Sequence, residues 1–268
     1  MKLTIFMILA ACLPLAAQVQ LENDWCSDRG WHSDNMVQHS EVREEHLAAT
    51  AETMIDPAQN GSIHVQGWAN SDILVKACVR ASAEDMGTAQ ALAKQVTVTD
   101  GPGRVVAKGP ANTGGHAGWS VSYEVWVPAA ANLQLKAFNG SIHLEGTTGQ
   151  IRAHTLNGSL HLKDVGGDVE AETQNGSLTL ELASSGWHGK GLKLNTTNGS
   201  VRLNLPATFS AEVEASTVNG RVKSDFPTGE DESDRNHQRH NLAFTIGAGG
   251  PKIEARTVNG SVQISRQS

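Results

Sequence analysis

The sequence is poor in several residue types that would point to particular classes of protein. Its 268 residues include six Trp, one Tyr, five Phe and three Cys, and the formal net charge at pH 7 is −7. Three cysteines cannot form a disulfide scaffold, and an acidic chain lacks the basic face that nucleic acid requires. After the first residues there is no apolar run long enough to cross a bilayer. We therefore expect no nucleic-acid partner and no transmembrane span in the mature chain.

Residues 1–17 have the pattern of a secretory signal peptide. Lys2 precedes an apolar stretch over residues 3–9, and Leu15-Ala16-Ala17 is a cleavage site of the expected kind. The alternative is a lipoprotein signal, because Leu9-Ala10-Ala11-Cys12 would place a lipid on Cys12. Both interpretations predict a secreted, periplasmic or cell-surface protein.

Cleavage would leave Cys26 and Cys78 as the only thiols in an oxidising compartment. A disulfide between them would clamp the N-terminal segment to the strand expected around residues 74–79. Two unpaired thiols are the alternative, because a sequence does not fix the separation of the two Cα atoms.

One motif, Asn-Gly-Ser followed by alternating apolar residues, dominates the chain. It occurs at Asn60, Asn139, Asn157, Asn175, Asn198 and Asn259, with an Asn-Gly-Arg variant at Asn219. From Asn139 onward the steps between copies are 18, 18, 23, 21 and 40 residues. Apolar residues at every second position around each Asn indicate strands with one buried face. Each copy therefore predicts a strand, an Asn-Gly corner, a second strand and a return turn.

The predicted structural corners are the Asn-Gly pairs of the regular copies. These residues are Asn139, Gly140, Asn157, Gly158, Asn175, Gly176, Asn198, Gly199, Asn219, Gly220, Asn259 and Gly260. We expect each Gly to supply a left-handed backbone at its corner. Five residues before the Asn, charge alternates in successive copies through Arg152, Glu170, Lys193 and Glu214. This alternation favours consecutive copies that stack in register.

Two topologies fit these repeats. Asn-Gly between strands is also the strongest short-range hairpin signal, so a meander or a barrel stays open. A hairpin needs no like residues at like positions between copies, whereas a solenoid stacks copy on copy. The column identity therefore favours an all-β fold, a β-solenoid (β-helix) of stacked 18–23-residue coils with a short helix near its N-terminal part.

The chain divides into a signal peptide (1–17), a polar N-terminal segment (18–44) and a β-helical repeat domain (45–268). Within the repeat domain, residues 45–130 are irregular and residues 131–266 form the regular coils. Residues 83–94 are predicted to form the helix, with Ser82 as its N-cap and Asp85 reaching back. We expect this helix to cover one end of the stack.

The repeated Asn-Gly-Ser motifs, the Val127-Pro128 step and the closing Gly249-Gly250-Pro251 segment carry a family resemblance. The chain resembles the bacterial "putative adhesin" family of β-strand-repeat proteins, a domain family of unknown function, over about residues 45–266. The resemblance implies a secreted or envelope-associated β-helical protein. It offers no catalytic, cofactor-binding or metal-binding residue to carry over, and we predict none.

Three histidines, His64, His143 and His161, occupy the same outward position in different copies. Stacked imidazoles could share a transition metal. The same column, however, continues with residues that are not ligands, namely Thr179, Arg202, Lys223 and Gln263. A solvated strand face is therefore favoured over a metal site.

Trp187 lies in an insertion that lengthens one coil by five residues and is rich in glycine. An exposed indole could stack on a sugar ring, which makes Trp187 a candidate ligand contact. The alternative is that Trp187 folds back over the coil, as large aromatic side chains commonly do.

These observations predict a non-enzymatic, secreted or periplasmic β-helical protein whose surface binds envelope polysaccharide or a protein partner without a cofactor. A polysaccharide-active lyase or hydrolase on the same scaffold is one alternative, and a purely structural envelope component is another. A groove with clustered acids and a base would favour the enzyme. Ladders of mixed polar residues would favour binding or scaffolding.

Overall fold

The computed structural model describes residues 24–27, 36–111, 117–184, 186–228 and 239–267. The leader, with its cleavage site and Cys12, lies outside these residues. The elements are α1 (Asp24–Ser27), β1 (Val37–Ala48), β2 (Thr53–Asp56), β3 (Ile63–Trp68), β4 (Asp72–Ala83), α2 (Met86–Gln95), β5 (Arg104–Val106), β6 (Ala117–Pro128), β7 (Leu133–Asn139), β8 (Ile142–Glu145), β9 (Gln150–Asn157), β10 (Leu160–Lys163), β11 (Asp168–Asn175), β12 (Leu178–Glu181), β13 (Gly191–Asn198), β14 (Val201–Pro206), β15 (Ala211–Asn219), β16 (Val222–Ser224), β17 (Asn241–Ile246), β18 (Lys252–Asn259) and β19 (Val262–Gln267).

The strands form two sheets that enclose one apolar interior. One sheet has ten strands in the order β1-β4-β6-β3-β8-β10-β12-β14-β19-β16, and the other has nine in the order β17-β15-β18-β13-β11-β9-β7-β2-β5. In each regular copy the strand before the Asn-Gly corner lies in the nine-stranded sheet and the strand after it lies in the ten-stranded sheet. The two strands around a corner therefore belong to different sheets, and the hairpin alternative is wrong.

Neighbouring copies pair in parallel and place like residues side by side. Asn157 pairs with Asn139 and with Asn175, and Asn175 pairs with Asn198. The apolar residues six positions before the Asn are buried, as the period of two predicts. These residues are Leu133, Ile151, Val169, Leu192, Val213 and Ile253.

The last two copies do not stack in chain order. β18 pairs with β13 on one side and with β15 on the other, and β19 lies between β14 and β16. The final copy is thus inserted between the copies of Asn198 and Asn219, which the sequence had placed as neighbours. β17 pairs antiparallel with the other side of β15 and occupies that edge.

Most corner glycines are required for space and not for a left-handed backbone. Gly140, Gly158, Gly176 and Gly220 have no positive φ, so that expectation is wrong at these four corners, whereas Gly199 and Gly260 have a φ of 159°. A Cβ built on Gly158 would lie 2.1 Å from the carbonyl oxygen of Gly140, and one on Gly176 would lie 2.0 Å from that of Gly158. Only a residue without a side chain allows the backbones of neighbouring copies to approach so closely.

The corner asparagines form a continuous ladder of amide hydrogen bonds. Each Nδ2 donates to the Oδ1 of its neighbour at 2.8 to 3.0 Å, from Asn139 to Asn60, Asn157 to Asn139, Asn175 to Asn157, Asn198 to Asn175, Asn259 to Asn198 and Asn219 to Asn259. Two positions before the Asn, the buried Thr173 hydroxyl donates to the Gly158 carbonyl at 2.8 Å. Because a buried hydroxyl needs a partner, and this partner comes from the next copy, the column specifies the register.

Helix α2 packs against β4 and β1, which lie at one end of the ten-stranded sheet. It begins at Met86, not at residue 83, because β4 continues to Ala83, which pairs with Val37 and Ala117. Asp85 is the N-cap and accepts from the backbone N–H of Thr88 at 2.9 Å, so the assignment of Ser82 as the cap is wrong.

The N-terminal segment is attached to the outer surface of β4. Cys26 and Cys78 form a disulfide bond with 5.4 Å between their Cα atoms. The Arg80 guanidinium donates from Nε to the Cys26 carbonyl at 3.1 Å, which holds α1 on the same strand. β1 runs across the boundary drawn at residue 44, because residues 37–48 pair antiparallel with β4.

Candidate functional site

The outward face of the ten-stranded sheet carries a row of three histidines, His64, His143 and His161. The strand register places His143 beside both of the others. The rings of His143 and His161 are stacked, with 4.7 Å between centroids and 5° between planes. The rings of His64 and His143 are tilted by 58° at 6.0 Å. In-register pairing thus creates a continuous surface of imidazole rings, which we call the imidazole row.

The geometry of the imidazole row suits stacking and not chelation. Parallel rings bring their π faces together, whereas a shared metal requires ring nitrogens that converge on one point. Among the residues that the structure describes, there is no group of three or more His, Cys, Asp or Glu side chains arranged to hold a metal ion.

Burial and the two flanking imidazoles lower the pKa of His143. Burial is the largest cause, and the charges that His161 and His64 would carry add to it. The ring therefore favours the neutral form, which has one donor nitrogen, one acceptor nitrogen and an uncharged π face.

The depressed pKa of His143 predicts a loss of stability on acidification. As the pH falls past about 6.5, the unfolded chain takes up the proton first, so the free energy of unfolding decreases until the pH is below the pKa of the folded state. The variant His143→Gln should show a shallower decrease over this range in urea unfolding at a series of pH values. His154→Gln, on the opposite sheet, is the control. Identical slopes for wild type and His143→Gln would contradict the prediction.

Two tryptophans flank the imidazole row on the same outward face. Trp126 lies on β6 opposite Gln66, which makes it a diagonal neighbour of His64. The Lys76 ammonium lies 5.6 Å from the centroid of the Trp126 ring. Trp68, at the end of β3, donates from Nε1 to the Asp72 carbonyl at 2.9 Å. Both indoles are half-buried, and together with the imidazole row they form the surface that we call the aromatic patch.

Sequence reasoning missed Trp126, although a signal for it was present. Val121, Tyr123, Val125 and Val127 alternate toward the core. Strand alternation then requires Trp126 to face outward, where a large aromatic side chain is not needed for packing.

An ion pair lies beside the imidazole row, in the wall of a shallow depression. This depression is bounded by the three histidines and by Glu145, Lys163 and Glu181. Lys163 Nζ lies 2.7 Å from Glu145 Oε1, and this hydrogen bond is the main cause that raises the pKa of Lys163. In the register of β8, β10 and β12, charge alternates through Glu145, Lys163 and Glu181.

The opposite face, on the nine-stranded sheet, contains a pair of neighbouring carboxylates. Glu214 pairs with Glu254 and not with Lys193, so the predicted alternation is wrong at this position. Lys252 Nζ lies 3.0 Å from a carboxylate oxygen of each. Retaining glycosidases use acids about 5 Å apart, but their general acid has a raised pKa. Here the hydrogen bond from Lys252 lowers the pKa of Glu254, so Glu254 lacks the raised pKa of a general acid. The two carboxylates and Lys252 form an ion-pair cluster.

Trp187 is half-buried and packs against the apolar core. Its Nε1 is buried and has no hydrogen-bond partner among the described residues. The indole therefore covers its coil, and the structure does not bring it to the aromatic patch.

In-register repeats with polar ladders on two outward faces define a class of all-β repeat proteins with parallel sheets. Within this class the sequence profile of the Toastrack DUF4097 family matches residues 47–265. The chain belongs to the Toastrack DUF4097 family, which confirms the family resemblance seen in the repeats. The comparison with curated proteins gives no significant match.

Several solved structures are similar to this chain. A "putative cell adhesion protein" from Clostridium sporogenes is 12% identical, with 85% of this chain and 100% of that chain covered and a TM-score of 0.47. A "putative adhesin" from Bacteroides fragilis is 10% identical, with 88% and 98% covered and a TM-score of 0.39. A "putative lipid binding protein" from Parabacteroides distasonis is 10% identical, with 85% and 97% covered and a TM-score of 0.32.

None of the helices in the described part of the chain has the length and apolar character needed to cross a bilayer.

Proposed function

We propose that the chain is a non-enzymatic binding protein on a β-solenoid scaffold, and that it engages a polysaccharide through the aromatic patch. The observation that carries the proposal is the alignment of His64, His143 and His161 beside Trp126 on one outward sheet face. A chain of sugar rings offers flat C–H surfaces for the Trp126 indole and hydroxyl groups for the imidazole nitrogens.

The repeat supports this assignment because it sets the spacing of the contacts. Strands of one sheet are about 4.8 Å apart, and the three rings of the imidazole row follow one another at 6.0 Å and 4.7 Å between centroids. A linear polymer can contact such a row at several points at once. Each contact is weak by itself, and several contacts on one polymer strengthen binding together.

The distribution of acids supports a binding role over a hydrolytic one. On the nine-stranded face, Lys193 lies 2.9 Å from Glu170, and Lys252 lies between Glu214 and Glu254. On the ten-stranded face, Lys163 pairs with Glu145. Carboxylates held ionised by a base are poor proton donors, and these lie on open sheet faces.

The leader supports an envelope location for this protein. Cleavage after Ala17 would release the mature chain, and lipidation of Cys12 would anchor it. Intact-mass measurement of the chain recovered from a bacterial envelope distinguishes the two: a free N-terminus at residue 18 supports secretion, and a diacylglyceryl mass on Cys12 supports anchoring. An uncleaved leader would contradict both.

Trp126→Ala is expected to weaken polysaccharide binding at least tenfold on a glycan array while leaving the fold unchanged. The side chain is half-buried on an outward face, so its loss removes ligand contact more than core packing. Stacking on one aromatic side chain contributes about 1–3 kcal/mol for nucleic acid bases, and we expect a similar order for a sugar ring. Trp187→Ala is the matched control, because Trp187 lies outside the aromatic patch.

Three outcomes of this array experiment contradict the proposal or redirect it. Equal losses from Trp126→Ala and Trp187→Ala would show a general effect on folding. A loss confined to Trp187→Ala would place the ligand on the insertion. If the wild-type chain bound no glycan on the array, a polysaccharide would be excluded as its ligand.

A protein partner is the second candidate, and a specific feature favours it. Phe138, Val218 and Val258 are 51%, 64% and 40% exposed. All three immediately precede a corner Asn, so they lie along one ridge of the stack. Val258 and Val218 belong to neighbouring copies, and adjoining exposed apolar side chains are typical of contacts with other proteins. Envelope cross-linking that is lost in Phe138→Ser but kept in Trp126→Ala would support this candidate.

A further inference from the structure

Three basic side chains extend the line of the imidazole row toward the far end of the ten-stranded sheet. The register continues from His161 through Thr179 to Arg202, and from there through Gln263 to Lys223. Arg221 precedes Lys223 by two residues, at the position that Ser occupies in the other copies. Arg202 and Lys223 lie on strands two positions apart, or roughly 10 Å. We call these three residues the basic row.

The basic row differs from most other cations of the two faces. Lys163, Lys193 and Lys252 each have a carboxylate oxygen within 3.0 Å. Arg202, Arg221 and Lys223 are exposed and have no ion-pair partner among the described residues. Exposed cations without partners, aligned on the same face as the aromatic patch, leave positive charge available to a ligand.

We infer that the ligand is an acidic polysaccharide, which lies across the strands with sugar rings on the aromatic patch and carboxylates on the basic row. This inference rests on the proposed function and names its ligand class. Arg202 lies two strands from His161, so one polymer of a few sugar units can reach both. Guanidinium groups are well suited to carboxylates, because their donors match two carboxylate oxygens.

Other anionic partners fit the charge distribution less well. Nucleic acid and anionic membranes attract proteins over long distances through a broad positive field. The net charge of this chain is −7, so its long-range field opposes every polyanion, and an anionic ligand must be held by short-range contacts with the basic row. A single line of cations beside aromatic rings instead matches a single polymer strand with charges at intervals.

The test compares polygalacturonate with its methyl-esterified form, which has the same backbone without the charge. We expect the full chain to bind polygalacturonate at least tenfold more tightly at low salt, with the difference shrinking as salt rises. Lys223→Gln should weaken binding of polygalacturonate about two- to fivefold, the range for one exposed ion pair. The variant Arg202→Gln/Arg221→Gln/Lys223→Gln should remove most of the preference over the esterified polymer.

Lys136→Gln is the matched control for Lys223→Gln. Lys136 is also exposed and has no ion-pair partner among the described residues, but it lies on the nine-stranded sheet. It should leave binding unchanged, and circular dichroism should show that all variants are folded.

The failure of this inference differs from that of the proposed function. Equal binding of both polymers, unaffected by the triple substitution, would overturn the acidic ligand and keep the aromatic patch as a polysaccharide site. Binding that falls equally in Lys136→Gln and Lys223→Gln would also overturn it. A preference for single-stranded DNA or anionic vesicles over polygalacturonate would overturn the inference and assign the basic row to another partner. If the chain bound no polysaccharide at all, the proposed function would be contradicted as well.

Discussion

Replacing Gly158 by alanine is expected to lower the free energy of unfolding by about 3 kcal/mol or more, the upper part of the range for overpacking. The new Cβ would lie 2.1 Å from the carbonyl oxygen of Gly140 and 2.5 Å from its carbon. The obstacle is backbone, and ladder hydrogen bonds on both sides hold that backbone in place. For a chain of this size, the melting temperature should fall by roughly 6–12 °C in a thermal scan followed by circular dichroism.

Gly186→Ala is the control for this substitution, because a Cβ at Gly186 would have no atom within 4 Å. It should melt at the wild-type temperature. Asn157→Ala should have an intermediate effect of about 1–2 kcal/mol, since it removes two exposed amide hydrogen bonds, to Asn139 and from Asn175. If Gly158→Ala and Gly186→Ala have the same melting temperature, neighbouring copies are not packed as closely as the structure shows.

Removing the disulfide by Cys26→Ser/Cys78→Ser is expected to lower the free energy of unfolding by up to about 4 kcal/mol, in the chain-entropy account of a loop of this length. The bridge joins residues that are 52 positions apart and closes a loop that includes β1 to β3 and part of β4. Reduction of the wild-type chain should have the same effect in urea unfolding. The loss of protection in hydrogen exchange should be greatest in β1 and β4.

The double serine variant also serves as the control for reduction. A reductant should leave its unfolding curve unchanged, whereas it should shift the wild-type curve to lower urea. If wild type and variant unfold together with and without reductant, the bridge contributes nothing, and the alternative of two unpaired thiols is supported.

The positions of the strands could be predicted because each copy repeats one period-two pattern around one Asn. The residues six before Asn157 and three after it, Ile151 and Leu160, are both buried. Apolar residues at every second position on each side of the Asn predict two strands, and the repetition of the same pattern indicates stacking. Repetition does not indicate which copy lies beside which, because identical columns fit together in any order.

One residue carried the information about order that the sequence analysis did not use. In the stack, the Ser hydroxyl of one copy accepts the N–H of the next, as Ser141 Oγ does from Ser159 N at 3.2 Å. The copy of Asn219 has Arg221 at this position, where such a hydroxyl is absent. A copy without this acceptor suits the end of the stack, where no further copy follows.

The aromatic patch was predicted only in part. The histidine column could be read from the alignment of copies, because in-register stacking places equal positions side by side. Trp126 could not be assigned in the same way, because β6 joins the sheet between β3 and β4 and not in the order of the repeats. Its proximity to His64 follows from that insertion, whereas Trp68 shares β3 with His64.

The most direct test of the spatial order of the copies is disulfide trapping between cysteines introduced in pairs. Arg202 pairs with Gln263, whereas Lys223 lies one strand further on. We expect Arg202→Cys with Gln263→Cys to crosslink readily, because neighbouring strands bring their Cα atoms within disulfide distance. Arg202→Cys with Lys223→Cys should not crosslink, since roughly 10 Å separates strands two positions apart. Crosslinking of the second pair and not of the first, measured by mass spectrometry of the peptides, would show that the copies stack in chain order and would contradict the architecture.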